Sequence, residues 1–282
     1  MQDSAGLRFR QAMAEEKPLQ LVGTINAYIA ILAKAAGFRA IYLSGAGVAN
    51  SSFGIPDQGT ITLENVLEDV RRIMGASDLP LLVDVDTGFG DSSMISKTIK
   101  KMTDAGAAGV HIEDQISSKR CGHLAGKEIV PTAEMVERLT AAVRAKTDPH
   151  FIVMARTDAF SVDGIDGVIE RSKAYQKAGA DMLFPEALTD LAQYTAIKNA
   201  VDIPVLANIT EFGKTPLFNR TELKNAGADI ALYPLSANRS MNQAALEVFQ
   251  TIRSEGTQKA SLSSMQTRED LYKYLGYHSY EE

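Results

Sequence analysis

The chain has 282 residues, of which 45% are hydrophobic and 23% are charged, as in an ordinary soluble globular protein. Its 35 acidic and 29 basic side chains give a formal net charge of −6, which argues against nucleic acid or an anionic membrane surface as a partner. No run of 18 apolar residues is present, so no membrane span is expected. The single cysteine, Cys121, cannot form an internal disulfide, which favours a reducing, cytoplasmic location.

Short apolar runs of strand length alternate with stretches of helical periodicity along the chain. At Gly37, Gly106, Gly179 and Gly227 a recurring phrase places glycine between a helical stretch and the next apolar run. Glycine is the expected residue just past a helix end, because it takes the left-handed conformation without steric cost. The predicted strands lie near 21–26, 40–45, 80–86, 109–113, 151–157, 182–186, 204–210 and 230–236.

Eight strands alternating with helices, without a break in composition, predict an α/β fold: one (β/α)8 barrel of the TIM type over residues 1–282. The competing architecture is a doubly wound open sheet, which would have fewer strands and a glycine-rich turn after the first. Residues 24–28 do not supply such a turn. The predicted helices lie near 28–36, 63–74, 93–105, 132–146, 165–178, 188–199, 220–226 and 239–254.

Polar side chains end nearly every predicted strand on one face, since residues two apart along a strand point the same way. Asp84 and Asp86 share such a face, and Glu113 ends the next strand. Barrel enzymes carry their chemistry at this end of the strands. Carboxylates without a Cys/His cluster predict a hard cation, Mg²⁺ foremost and Mn²⁺ as the alternative. The competing interpretation is that these carboxylates only cap turns.

Residues 114–131 form a connection far longer than the roughly 2–6 residues typical of such loops, and this segment is a candidate lid. It contains the sequence Lys119-Arg120-Cys121-Gly122-His123. Cationic neighbours lower the pKa of a thiol, which makes Cys121 a candidate reactive group. The alternative is an incidental cysteine. His111 is interpreted as an interior histidine rather than a metal ligand.

With the segment from Lys119 to His123 and with Asp84-Val85-Asp86, the sequence resembles the isocitrate lyase/phosphoenolpyruvate mutase superfamily. The segment from Lys119 to His123 resembles the signature of the lyases in that superfamily. The resemblance runs from Leu21 to the C-terminus and is to the branch that cleaves 2-methylisocitrate into pyruvate and succinate in propionate breakdown, through the methylcitrate cycle. Other matching segments are 155–159, 183–187, 206–213, 233–237 and 265–268.

The resemblance implies a barrel whose last helix, within the C-terminal helical region 239–282, is exchanged between paired subunits of a homotetramer. It implies that Asp84 and Asp86 hold Mg²⁺, with Asp57 and Glu113 supporting through water. The candidate catalytic residues are Cys121, Tyr42, Arg156, Glu186 and His123. The small tricarboxylate substrate would be bound by Ser44, Gly45, Ala46, Cys121, Gly122, Arg156, Glu186, Asn208, Ile209, Thr210, Arg239 and Arg268.

The expected reaction is a reverse aldol cleavage, in which a base removes the substrate hydroxyl proton and Cys121 protonates the departing carbanion. The sequence leaves the base open among Tyr42, Glu186 and a metal-bound water. Phe184 and Leu232 replace the Trp and Thr of full isocitrate lyases, so they predict an apolar space for one extra methyl group, worth only about 1–3 kcal/mol. The alternatives are a sibling lyase acting on isocitrate or 2,3-dimethylmalate, and a barrel that only binds dicarboxylates.

Overall fold

The structure, a computed structural model, describes residues 3–116 and 126–277. The strands are β1 (Leu19–Gly23), β2 (Ala40–Leu43), β3 (Leu81–Asp84), β4 (Gly109–Glu113), β5 (Ile152–Thr157), β6 (Met182–Pro185), β7 (Leu206–Asn208) and β8 (Ile230–Tyr233). The helices are α1 (Ala5–Glu15), α2 (Ala27–Ala35), the single turn α3 (Gly45–Gly47), α4 (Leu63–Ala76), α5 (Ser92–Asp104), α6 (Thr132–Arg144), α7 (Phe160–Lys177), α8 (Leu191–Ala200), α9 (Arg220–Asn225), α10 (Ser236–Glu255) and α11 (Arg268–Leu275). A π-helical turn covers Val48–Ser52, and a 3-10 helix covers Lys259–Ser264.

The strands form one parallel sheet in the order β6-β5-β4-β3-β2-β1-β8-β7. Its two edges meet because Leu183 of β6 pairs with Val205, just before β7. The Leu183 amide also donates a hydrogen bond to the carbonyl of Pro204 at 2.9 Å. The predicted (β/α)8 barrel is therefore confirmed, and the open-sheet alternative is excluded.

Four glycines at helix ends mark the repeating unit, as the sequence predicts. Gly37, Gly106, Gly179 and Gly227 have φ angles of +90°, +89°, +97° and +87°. Each lies just past the end of a helix and shortly before a strand. Because other residues are strained in this conformation, glycine ends these helices and turns the chain back into the barrel.

All eight predicted strand runs overlap their strands, but six of them extend past the carboxyl end, and only the runs 109–113 and 151–157 stop where β4 and β5 stop. Run 80–86 contains β3, which stops at Asp84, and run 204–210 contains β7, which stops at Asn208. Beyond these ends Asp86 and Thr210 are buried, and the Val85 and Ile209 amides still donate hydrogen bonds to the neighbouring strands. Helix α1 was not predicted, because it precedes the first strand and so stands outside the repeating unit.

Helix α1 packs across the amino end of the barrel. Its Phe9 is fully buried and Ala12 nearly so, in one cluster with interior side chains such as Leu19 and Leu21 of β1. A Cβ atom added to Gly6 would lie 2.4 Å from the carbonyl oxygen of His150, which shows how closely the helix approaches the loop before β5. The amino end is thus closed by packed apolar side chains.

The C-terminal helices lie largely outside this packing. Of the residues in α10, only Asn238 is buried, whereas Leu246, Phe249 and Ile252 are exposed by 50%, 67% and 43%. Among the described residues, no helix has the length and apolar character needed to cross a bilayer.

Replacing Phe9 with Ala removes the main apolar side chain that α1 contributes to the barrel interior. We expect Phe9→Ala to lower the free energy of unfolding by about 3–5 kcal/mol, the usual cost of a fully buried phenylalanine. Urea unfolding monitored by circular dichroism measures this change. Leu217→Ala is the matched control, because Leu217 is 64% exposed and its loss should change stability little. Equal effects of the two changes would contradict the packing role of α1.

Candidate active site

Two carboxylates meet at the carboxyl end of β3. Asp84 Oδ2 accepts a hydrogen bond from the Gly45 amide at 3.0 Å, and Asp84 Oδ1 accepts one from the Asp86 amide at 3.0 Å. A Cβ atom added to Gly45 would lie 3.1 Å from both Asp84 Oδ2 and Asp86 Oδ1. Both side chains are buried, and these distances show that their oxygens converge on one small space beside the Gly45 backbone.

The backbone at Asp86 accounts for part of this convergence. Its φ is +49°, in the left-handed region, which Asp tolerates better than most residues because its short polar side chain bonds locally. The turn follows directly on β3, whose last residue is Asp84. The change from extended to left-handed backbone brings the second carboxylate back beside the first.

This donor set fits Mg²⁺. The ion is usually held by one or two carboxylates, with water and substrate completing its coordination. Within 3–116 and 126–277, no group of three or more His, Cys, Asp or Glu side chains is arranged to hold a metal. Asp57 is half-buried in the loop after the π-helical turn. The structure therefore brings Asp84 and Asp86 together as the pair that a divalent ion would share, and the supporting roles of Asp57 and Glu113 stay predictions.

Arg156 on β5 is surrounded by carboxylates. Its Nε lies 3.3 Å from Glu113 Oε2 and 3.0 Å from Asp158 Oδ2. Its Nη2 lies 3.2 Å from Glu186 Oε2. The strand register explains the first contact, because Glu113 of β4 is paired with Arg156 of β5.

Charge and burial act in opposite directions on Arg156. Burial alone would lower the pKa of its guanidinium, but the neighbouring carboxylates, Asp158 foremost, raise that pKa well above the usual value. Arg156 is therefore a permanent buried cation. Its guanidinium carbon also lies 5.1 Å from the ring centre of Phe184, a distance at which a cation is attracted to an aromatic face.

Glu186 and Asn208 form the neighbouring part of the mouth. Glu186 Oε1 accepts a hydrogen bond from the Ala187 amide at 2.8 Å. Asn208 Nδ2 donates to the two oxygens of Glu186, at 3.2 and 3.3 Å. The Asn208 Oδ1 atom is buried and accepts no hydrogen bond from the described part of the chain. A buried acceptor of this kind is suited to a ligand hydroxyl or a water molecule.

Tyr42 and His111 connect this region to Asp84. The Tyr42 hydroxyl lies 2.9 Å from His111 Nε2, and His111 Nε2 lies 3.6 Å from Asp84 Oδ1. Burial and the negative charge of Asp84 raise the pKa of the Tyr42 phenol well above its usual value. The phenol therefore stays protonated at neutral pH, which makes it a hydrogen-bond donor rather than a ready base.

Five further predicted substrate residues follow strands β2 and β7. Ser44, Gly45 and Ala46 follow β2 at the barrel mouth, where Ser44 Oγ accepts a hydrogen bond from the Gly47 amide at 3.3 Å. Ile209 and Thr210 are buried directly after β7. All five lie at the carboxyl ends of strands, as the sequence predicts.

The two outer arginines are not joined to this mouth in the same way. Arg239, on α10, has its Nε 3.6 Å from Glu211 Oε2 and its guanidinium 5.6 Å from the ring centre of Phe212. Arg268 is exposed on α11, and its side chain forms no hydrogen bond or ion pair with another described residue. Cys121, Gly122 and His123 lie outside the described residues.

A buried polar cluster behind the mouth is not predicted from the sequence. Asp114 Oδ2 accepts hydrogen bonds from the Thr157 hydroxyl at 2.7 Å and the Tyr175 hydroxyl at 2.8 Å. Its Oδ1 accepts one from the Asp158 amide at 2.9 Å. A signal was present: Glu113 and Asp114 are adjacent, so along a strand one faces the barrel interior and the other the helix layer.

Comparison with known proteins agrees with this geometry. The sequence model of the phosphoenolpyruvate phosphomutase family matches residues 9–253. A 2-methylisocitrate lyase of Shewanella oneidensis is 58% identical over 282 residues, covering 100% of this chain and 97% of that protein. A 2-methylisocitrate lyase of Escherichia coli is 58% identical over 280 residues, covering 99% of this chain and 95% of that protein.

A solved structure supports the same grouping. A 2,3-dimethylmalate lyase, described as a member of the PEP mutase/isocitrate lyase superfamily, superposes with a TM-score of 0.91 at 31% identity. The match covers 100% of this chain and 94% of that one. The resemblance inferred from the lyase signature is thereby confirmed. The chain belongs to the phosphoenolpyruvate phosphomutase family, within the isocitrate lyase/phosphoenolpyruvate mutase superfamily.

Proposed function

We propose that this protein cleaves 2-methylisocitrate into pyruvate and succinate by a reverse aldol reaction. The observation that carries the proposal is the convergence of Asp84 and Asp86 at the same barrel mouth as the buried cation Arg156. The substrate is negatively charged, and its cleavage develops further negative charge. It therefore needs positive charge at fixed positions, which a cation held by the two aspartates and Arg156 would supply. The 58% identity with two 2-methylisocitrate lyases supports this choice of substrate.

Asp84 and Asp86 would hold Mg²⁺, with Mn²⁺ as the alternative, and Asp57 and Glu113 would support the ion through water. When bound, the ion supplies positive charge that stabilises the developing oxygen charge of the pyruvate half. Enzymes of this superfamily depend on a metal ion. The carboxylate pair beside Gly45 is the part of the described chain that suits it.

The chain's own cations would hold the substrate carboxylates. Arg156 is fixed by its carboxylate neighbours, and its Nη1 forms no hydrogen bond with the described residues, so these nitrogen protons are available to a ligand. Arg239 at the rim and Arg268 would complete the binding of the tricarboxylate. Ser44, Gly45 and Ala46 would bind the carboxylate of the pyruvate half, and Asn208 and Thr210 would donate or accept further hydrogen bonds.

The proton movements involve two ends of the substrate. A base takes the proton of the substrate hydroxyl, the carbon–carbon bond breaks, and the electron pair is left on the succinate half. Cys121 then donates a proton to that carbon, with His123 two residues further along the sequence. The raised pKa of Tyr42 favours Glu186 over Tyr42 as the protein base, since Glu186 is an acceptor already oriented by Asn208.

Selectivity for the methylated substrate would rest on apolar lining. Phe184 and Leu232 are both buried in the barrel interior. Such a pocket favours one methyl group by only about 1–3 kcal/mol, so partial activity on isocitrate is compatible with it. Cleavage of 2,3-dimethylmalate is the second candidate, favoured by the structural match to a lyase for that acid.

We also propose that residues 1–282 form one lyase domain, placed in the cytoplasm, whose C-terminal region 239–282 is exchanged between subunits of a homotetramer. The exposed apolar side chains of α10 support this, because Leu246, Phe249 and Ile252 leave an apolar face open to solvent. Exchange would also give the exposed Arg268 a route to the mouth of a neighbouring barrel.

A pyruvate-release assay tests the function directly. We expect turnover of 2-methylisocitrate in the presence of Mg²⁺, and slower turnover of isocitrate and 2,3-dimethylmalate measured side by side. Loss of activity in excess chelator, restored by added Mg²⁺, is the control. Absence of pyruvate release from all three acids would refute the proposed lyase activity. A clear preference for isocitrate or 2,3-dimethylmalate would show that 2-methylisocitrate is not the substrate.

Replacing Cys121 with Ser tests the proton donor. A serine hydroxyl is a far weaker acid than a thiol, so we expect Cys121→Ser to lower kcat by about 100-fold or more, the usual contribution of a general acid. Circular dichroism and Mg²⁺ binding by calorimetry should match the unchanged protein. Turnover near that of the unchanged protein would remove Cys121 from the mechanism.

Replacing Asp84 with Ala tests the metal pair. We expect Asp84→Ala to abolish Mg²⁺-dependent turnover and to weaken Mg²⁺ binding in calorimetry, because only Asp86 of the pair remains. Asp104→Ala is the matched control, since Asp104 is an exposed residue at the end of α5. Unchanged Mg²⁺ affinity in the Asp84 variant would show that the ion is held elsewhere.

A further inference from the structure

Lys127 is a buried cation that the proposed reaction does not use. Its Nζ lies 2.7 Å from Asp158 Oδ1, and both side chains are fully buried. Lysine is almost never completely buried unless its charge is paired. A buried pair is weak evidence for a purely stabilising role, because desolvation opposes the attraction between the charges.

Asp158 is shared between Lys127 and the proposed substrate-binding arginine. Asp158 Oδ2 accepts a hydrogen bond from Arg156 Nε at 3.0 Å, and Oδ1 accepts one from Arg156 Nη2 at 3.3 Å. Oδ1 is also the oxygen that contacts Lys127. The two cations therefore compete for one carboxylate, so the presence of Lys127 limits how strongly Asp158 attracts Arg156.

The charges near Arg156 show why this sharing is important. Three carboxylates, those of Glu113, Asp158 and Glu186, lie within 3.3 Å of its guanidinium nitrogens. Alone they would outnumber the cation and repel an incoming substrate carboxylate. Lys127 adds a second positive charge at Asp158.

The backbone holds Lys127 in place independently of this pair. Gln115 and Ile129 form an antiparallel bridge, and the Val130 amide donates to the Asp114 carbonyl at 2.8 Å. Lys127 stands just beyond this bridge, so its ammonium group reaches Asp158 from a backbone that is already paired. The segment therefore has backbone hydrogen bonds of its own besides the ion pair.

We propose that Lys127 is a positioning residue for substrate binding: by sharing Asp158, it keeps Arg156 oriented and free to bind a substrate carboxylate. The inference rests on the proposed function, in which Arg156 binds the substrate. Lys127 itself does not contact the substrate in this scheme.

The test combines Lys127→Met, the double variant Lys127→Met/Asp158→Asn, and the control Lys146→Met. Lys146 forms a comparable largely buried pair at the other end of the barrel, with its Nζ 3.1 Å from Asp181 Oδ2. We expect Lys127→Met to raise KM for 2-methylisocitrate by about tenfold or more, as expected when a substrate contact is lost, with a smaller fall in kcat. The double variant should recover much of that loss, because it also removes the charge that Lys127 balances.

A purely structural role predicts a different pattern. Lys127→Met would then lower the melting temperature, and the folded enzyme would keep its kcat and KM, as the Lys146 control should. That result, or a double variant as impaired as Lys127→Met, would overturn the inference. If Lys127→Met does not fold, Lys127→Gln keeps a donor toward Asp158 without the charge and should raise KM in the same way.

Calorimetry with succinate separates this inference from the proposed function. Succinate binding tenfold weaker in Lys127→Met than in the unchanged protein supports the positioning role, even if no acid is cleaved. An unchanged protein that binds succinate without cleaving any candidate acid refutes the lyase proposal alone. Equal succinate affinity in the two proteins, or no binding by either, overturns the role of Lys127.

Discussion

Closure of the parallel sheet is the constraint on which the site depends. Because all strands run in one direction, their carboxyl ends meet at one rim, and residues far apart in the chain become neighbours. Asp84, Glu113, Arg156 and Glu186 come from four successive strands or the residues just after them. The pairing of Leu183 with Val205 completes the ring and brings Asn208 to Glu186.

Closure also decides the electrostatics of the rim. Buried carboxylates and cations are held at short distances from one another, where water does not screen them as it does at the surface. Arg156 therefore remains charged although burial opposes it, and the phenol of Tyr42 remains neutral. Burial and the neighbouring carboxylates both disfavour the Tyr42 phenolate, whereas at Arg156 the carboxylates outweigh the effect of burial.

The sequence predicts the barrel because each repeating unit has local signals in the sequence. Glycines such as Gly37 and Gly106 mark helix ends, and apolar runs mark strands, so eight units follow from counting. The pair Asp84 and Asp86 is predictable for the same reason, since alternation along one strand decides which side chains share a face. Helix α1 is not predicted in this way because it belongs to no repeating unit.

Contacts across strands are less accessible to sequence reasoning. The contact of Glu113 with Arg156, and of Lys127 with Asp158, depends on strand register and on the course of a long connection. Neither leaves a periodic trace in the sequence. The exposed position of Arg268 on α11 is also not predictable from the sequence. The surroundings of that helix depend on how the C-terminal region is arranged, which no local pattern in the sequence determines.

Helix α1 has a practical consequence for handling the protein. Because Phe9 seals the barrel at the end opposite Asp84, a purification tag or surface linkage joined ahead of Ala5 would project away from the substrate entrance. An enzyme fixed to a support through that end would leave its mouth facing the solution, whereas attachment beyond Leu275 would place the support beside the C-terminal helices, whose apolar side chains are exposed.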